Sequence, residues 1–440
     1  MPRFIDRDIR TAVSHRVPFF YGWVIVTAAF FASFSGGGIQ AFTFGVFIKP
    51  MSEGLGWSRT AMTGALTVRT YAGAALSPVF GRLVDRHGPR YLMMLTAIVG
   101  GIATLLLSRV VTIWQFYALF GLMGLSGGTG AGGVVTEATV SKWFIRLRGR
   151  AIAFGTMGNV AAGVILAPLV GVVIAISGWE AAWLVIAAIF FGLLLPFSFL
   201  MARQPEDMGL LPDGAKSREE VQALFQRKGN MESAYSWRLK EALRTRALWI
   251  LLAAQVIAGF PSSSVVIHHY SYITDEGFSS AVAAGVLGTL AISAAAARII
   301  WGLLVERYPV RYCMAASYFG DVLGLLILLT GLNLGFAPML FLFSVVYGLN
   351  IGGTVVLTSV GIANYFGRDF VGTIRGTMMA ITTSSVALGP VLVSMAYDAQ
   401  GTYFRAFEVL VGLFLISAFV VLFAKPPTKA EQVSPAQGDL

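Results

Sequence analysis

The chain has 440 residues, of which 56% are hydrophobic and only 12% charged, about half the roughly 25% charged share of a soluble globular domain. With a mean hydropathy of +0.74, this composition excludes a water-soluble enzyme. The net charge of +10 would suit nucleic acid in a soluble protein, but here the basic residues cluster in the connections between apolar runs, so no nucleic acid is implied.

In chain order, Met1 to Pro18 is polar and lacks the short apolar core and small-residue site of a cleavable signal, so cleavage is not expected. Twelve apolar runs follow, each near the length that crosses a bilayer as a helix: 19–46, 60–81, 91–108, 113–137, 151–176, 181–201, 247–272, 280–304, 312–331, 338–363, 374–396 and 404–424. We number these expected spans 1 to 12. Of the 32 lysines and arginines, 26 fall in the N-terminal tail, in 82–90, 142–150, 203–246, 307–311 and 368–375, or after 424, all on one side of such a layout. The positive-inside rule then places both termini and the 203–246 connection in the cytoplasm. A cysteine introduced by Lys216→Cys is therefore expected to resist an impermeant thiol reagent added outside intact cells; labelling from outside would overturn the topology.

The connection 202–246 carries 9 basic and 7 acidic residues and reads as a linker between two six-span bundles, 1–201 and 247–424, with a surface helix near 216–227 and a tail at 425–440. The halves resemble each other. Gly81-Arg82-Leu83-Val84-Asp85-Arg86 ends span 2 as Gly302-Leu303-Leu304-Val305-Glu306-Arg307 ends span 8, 221 residues later. A repeat of six spans within twelve is what alternating access needs, because a substrate can then bind between two rocking bundles. Cys313 is the single cysteine, so neither an intrachain disulfide nor a cysteine metal cluster is available. No nucleotide-binding loop and no nucleophile with its base is visible. We expect no cofactor, no metal and no enzyme; a membrane enzyme or a sensor working through the long loop is the remote alternative.

The run Gly81-Arg82-Leu83-Val84-Asp85-Arg86-His87-Gly88-Pro89-Arg90 resembles the loop 2–3 motif of the major facilitator superfamily, with Pro89 where a basic residue is usual. The resemblance implies an all-α integral membrane fold of twelve helices in two six-helix bundles, working as a monomeric transport unit. It implies that Gly81 permits close helix approach, and that Asp85 sits at a helix N-terminus or pairs with arginine to lock one state. Arg86, Arg90, Arg150, Glu306 and Arg307 join Gly81 and Asp85 as expected conformational residues. Trp143-Phe144 followed by Arg146, Arg148, Arg150, Ala153 and Gly155 looks like the helix 4–5 motif of the monocarboxylate transporter family, two residues longer than that pattern. His268 to Ser279 looks like bacterial members of the monocarboxylate and oxalate:formate branch. In that branch an arginine of span 8 binds the carboxylate, and Arg298 occupies its position. Two departures matter: Ala294 stands where proton-linked members carry an acid, and Phe42 where they carry a lysine.

An arginine at the centre of a membrane helix costs about 2.5–3.5 kcal/mol on insertion scales, so it needs a partner, water or a ligand. Arg69 and Arg298 are the two basic residues expected inside spans, and a guanidinium matches a carboxylate with two parallel hydrogen bonds. Gln40, Gln255, Asn350, Asn159 and Thr382 to Ser385 could add hydrogen bonds to a ligand or bridge helices instead. Asp321, deep in span 9, and His268, with His269 beside it in the outer third of span 7, are the candidate proton carriers. Glu137 is expected to pair with the Arg146 to Arg150 cluster, and Gly259-Phe260-Pro261 to break span 7 as a hinge. The expected function is secondary active transport of a small organic anion, a monocarboxylate, in a bacterial cytoplasmic membrane, with a proton as the candidate coupled ion. The alternatives are carboxylate exchange and proton-linked efflux; the latter is suggested by Gly163 to Gly171, which loosely resembles an antiporter motif.

Overall fold

The computed structural model describes residues 18–37, 44–125, 133–228 and 235–427. Among these residues all regular structure is helical. The helices are α1 (Gly22–Gly37), α2 (Phe44–Leu55), α3 (Arg59–His87), α4 (Arg90–Leu95), α5 (Gly101–Leu107), α6 (Ile113–Met123), α7 (Val134–Trp143) and α8 (Arg148–Leu200). They continue with α9 (Arg218–Lys228), α10 (Leu239–Ala242), α11 (Arg246–Asp275), α12 (Ser280–Arg307), α13 (Val310–Asn333) and α14 (Ala337–Ile351). The last three are α15 (Thr354–Phe366), α16 (Val371–Gln400) and α17 (Phe404–Leu422). Eight helical stretches among the described residues are long and apolar enough to cross a membrane. Large apolar side chains also face outward, including Ile176, Ile292 and Val164, each more than 70% exposed. Water would penalise such surfaces and hydrocarbon does not, as befits a multi-pass membrane protein.

Glycine and proline decide where the helices depart from single rods. The expected spans 5 and 6 are one run in α8, reversed at Gly178, whose φ of 83° is open to glycine without strain. Span 3 contains a π-helical turn, Thr96–Gly100, between α4 and α5. Span 10, expected as one helix, is interrupted at Gly352-Gly353. There the Gly353 N–H bonds to Asn350 O at 3.1 Å, a tighter turn, while Trp301 Nε1 donates to the freed Leu349 carbonyl at 2.7 Å. A Cβ on Gly352 would run into the Ala294 backbone, so the glycine pair also sets the approach of α12.

Span 7 shows the reverse correction. The expected break at Gly259-Phe260-Pro261 does not occur, and α11 runs unbroken through Pro261. The hydroxyls of Ser262, Ser263 and Ser264 donate to the carbonyls of Ala258, Gly259 and Phe260 at 2.7, 3.1 and 2.7 Å.

The chain divides into two compact units, Met1–Arg227 with Arg368–Ala380, and Lys228–Gly367 with Ile381–Leu440. In the first, α1 packs along α8, and Phe47 stacks on Trp183 with ring centroids 4.1 Å apart. In the second, α13 packs on α14 and α17, and α12 on α14. The segment 368–380 thus belongs with helices from which it is separated by more than 140 residues of chain.

Candidate functional site

The intramembrane candidates come first. Arg298 is half-buried on α12, one turn beyond Ala294, where α12 meets the glycine pair of span 10. Arg69 on α3 is fully buried, and its Nη2 donates to the Gly36 carbonyl at 3.3 Å, at the C-terminal turn of α1. A cation there also complements the negative end of the helix dipole, so Arg69 has a structural task in this state. Outside the expected spans, Lys142 and Arg148 are buried as well, 2% and 1% exposed. Arg148 Nε donates to the carbonyls of Ser141 and Phe144 at 3.2 and 2.9 Å, closing the turn between α7 and α8.

Gln255 is half-buried on α11, and Gln40 and Phe42 lie outside the described residues. Asn350, half-buried on α14, donates its amide to Val346 O one turn back at 2.7 Å and fills the space above Gly320 of α13. Asp321, 2% exposed on α13, has an Oδ1 with no hydrogen-bond partner among the described residues. His268 Nε2 lies 3.0 Å from the Pro390 carbonyl, which fixes the proton on Nε2 and leaves Nδ1 to accept one. His269 is fully buried, with Nδ1 2.8 Å from Val265 O. In the first unit a groove of about 360 Å³ is lined by Trp23, Val26, Thr27, Phe30 and Phe154. It is uncharged and includes none of the candidates.

The densest constellation surrounds Asp85. Helix α16 starts after Phe370, whose side chain has no oxygen to accept the first free N–H groups. Asp85 supplies them from 287 residues away. Its Oδ1 accepts from the Gly372 N–H at 3.2 Å and Oδ2 from the Thr373 N–H and hydroxyl, both at 2.7 Å. Lys142 Nζ completes the set 2.8 Å from Oδ1, with both side chains almost wholly buried. The four acceptor positions of one carboxylate are thereby filled. Beside it Arg375 forms an ion pair with Glu137, a partner for that acid that the sequence reading did not name. Arg368 pairs with Glu206 and donates to the Lys142 carbonyl at 3.0 Å.

The close approach that brings these groups together is made by small residues. A Cβ on Gly81 would strike the Gly372 carbonyl, and one on Gly376 the Ser77 carbonyl, while the Ser77 hydroxyl donates to Gly376 O at 2.7 Å. Ser77 and Gly81 on α3 thus face Gly372 and Gly376 on α16, small residues four apart on both helices. Of the other expected conformational residues, Arg90 lies with its guanidinium 5.0 Å from the Phe199 ring centroid. Arg86 and Arg307 are exposed, and Arg150 and Glu306 half-buried. Sequence reasoning missed Lys142, Arg368, Thr373 and Arg375. The Gly372-xxx-Gly376 spacing was a readable signal for a tight crossing, but nothing local named α3 as its partner.

Four comparisons bear on this arrangement. Monocarboxylate transporter 11 of Mus musculus is 24% identical over 412 residues, 91% of this chain and 87% of that one. The oxalate:formate antiporter of Oxalobacter formigenes is 26% identical over 288 residues, 64% of this chain and 63% of the other. The solved structure of the human organic anion transporter MFSD10 (TETRAN) superposes with a TM-score of 0.65 at 16% identity, covering 92% of this chain and all of that one, a likeness of fold. The family model of the Major Facilitator Superfamily matches residues 25–320 and 286–439. Together with the all-helical membrane architecture and the Gly81 to Arg90 motif at the α3–α16 crossing, this match makes the chain a member of the Major Facilitator Superfamily.

Proposed function

We propose that the protein is a secondary active transporter that moves a small organic anion, a monocarboxylate, across a bacterial cytoplasmic membrane by alternating access. The observation that carries the reading is Arg298, a guanidinium within the apolar helix α12 beside the point where α14 gives way to α15. A planar, permanently charged fork there suits a carboxylate, and its low hydration compared with an ammonium lowers the cost of holding it in the membrane. The monocarboxylate transporter and the oxalate:formate antiporter among the relatives support the substrate class. On this reading the two six-helix bundles are 1–201 and 247–424, joined by a cytoplasmic linker. Arg69 is assigned to helix-end binding in this state and to the anion only after α1 shifts.

Coupling to a proton is part of the proposal. Ala294 removes the acid expected beside Arg298, so the carrier must lie elsewhere, and the two candidates are His268 and Asp321. Among the described residues, Asp321 has a buried carboxyl oxygen with no hydrogen-bond partner, and His268 bonds through Nε2, leaving Nδ1 available. In proteoliposomes with an empty lumen, uptake of a labelled monocarboxylate such as lactate or pyruvate is expected to rise with an inward proton gradient. It is expected to lose that response, by about tenfold or more, in His268→Ala or Asp321→Asn. Uptake that ignores the gradient and requires a preloaded counter-anion would replace symport by exchange.

A further inference from the structure

The chain leaving α8 is tied down at every few residues. Tyr21 and Trp143 close the end of the helix, the phenol donating to Leu200 O at 2.8 Å and the indole N–H to Ala202 O at 3.1 Å. Arg203 then grips Asp207 with two nitrogens, at 3.0 and 2.9 Å, and reaches the Arg86 carbonyl of the loop 2–3 motif at 3.3 Å. Glu206 pairs with Arg368, whose other nitrogen holds the Lys142 carbonyl. Asp213 ends the strap. Its two oxygens accept from the backbone N–H groups of Ile145, Arg146 and Leu147 at 2.8, 2.7 and 3.2 Å, the turn that opens α8. Asp213 adopts φ 55°, a left-handed conformation that is unfavourable for a residue with a Cβ. Three charge-assisted hydrogen bonds offset that strain.

Each anchor of this strap lands on a part that holds the first turn of α16. Arg203 binds the last turn of α3, which carries Asp85, Glu206 binds Arg368 just ahead of α16, and Arg368 and Asp213 bracket the end of α7 that carries Lys142. We infer that residues 203–213 form a latch on the transport cycle, in which Glu206 and Asp213 are positioning residues that keep the α16 N-terminus seated on Asp85 and Lys142. The strap's anchors gather around Asp85, the start of α16 and the turn that opens α8, so its release governs conversion between states and not affinity. The inference rests on the transporter reading for its biological meaning, but the latch itself can be measured without a substrate.

The test uses the full-length purified protein in a Cys313→Ser background, with Val371→Cys as reporter. Val371 is fully buried at the start of α16, so N-ethylmaleimide should label it slowly, at a rate set by how often that turn leaves its seat. Glu206→Gln and Asp213→Asn are each expected to speed labelling by about tenfold, and Asp85→Asn by more. The paired exchange Glu206→Arg with Arg368→Glu should restore the slow rate, which a general loosening of the fold would not. Should Asp213→Asn fail to purify as a monodisperse protein, the Glu206 series decides alone. Labelling within twofold of the parent in the strap variants, with Asp85→Asn accelerated, overturns the latch. A reporter that labels in the parent as fast as in unfolded protein overturns it too. Accelerated labelling in a protein that transports none of the tested monocarboxylates leaves the latch standing and removes the substrate proposal.

Discussion

Arg298→Ala is expected to reduce carboxylate transport by about a hundredfold or more, because hydrogen bonds to a charged group contribute about 1.5–3 kcal/mol each and a guanidinium offers a carboxylate two. The residue is half-buried on α12, so truncation leaves space without deleting a core side chain. Folding should survive, which size-exclusion chromatography of the purified variant would show. Arg298→Lys is the sharper comparison. An ammonium keeps the charge but loses the planar fork and carries a tighter hydration shell, so affinity should remain well below the parent's. Initial-rate uptake of labelled monocarboxylates by proteoliposomes is the measurement. Unchanged affinity and rate in Arg298→Ala would remove the residue from the site.

Asp85→Asn acts on a different quantity. The carboxylate is filled by four donors, and its pair with Lys142 is almost wholly buried. Removing one partner of a buried ion pair costs about 3–5 kcal/mol, because the remaining charge is stranded. An asparagine keeps the shape, but its amide nitrogen must face a donor, either the ammonium or the Thr373 N–H. The state in which α16 rests on α3 is therefore destabilised relative to others. Turnover is expected to fall by at least about tenfold while ligand affinity in a direct binding assay stays within about threefold. Gly81→Ala should act in the same direction without touching the charge, since its Cβ would meet the Gly372 carbonyl. A large loss of binding with normal turnover in Asp85→Asn would contradict a conformational role.

The membrane class and the approximate positions of the helices were legible in the sequence, because both depend on quantities summed along the chain: apolar length, charge placement and glycine or proline punctuation. The motif from Gly81 to Arg90 was legible for the same reason, as ten consecutive residues. Local reading went astray where a remote group changed what a local signal meant. Pro261 reads as a breaker, yet α11 runs through it unbroken. Span 10 reads as continuous, yet the indole N–H of Trp301 takes a carbonyl out of its ladder. The partner of Asp85 could not be read from the sequence. A helix whose residue before its start is Phe370 lacks a local cap, but only the packing of α3 on α16 decides that Asp85 provides it, and that Lys142, Arg368 and the linker strap gather around it. Hydropathy and spacing are one-dimensional and survive in the sequence. Which buried charge meets which backbone end is set by close contact between segments hundreds of residues apart, and there the tertiary structure alone decides.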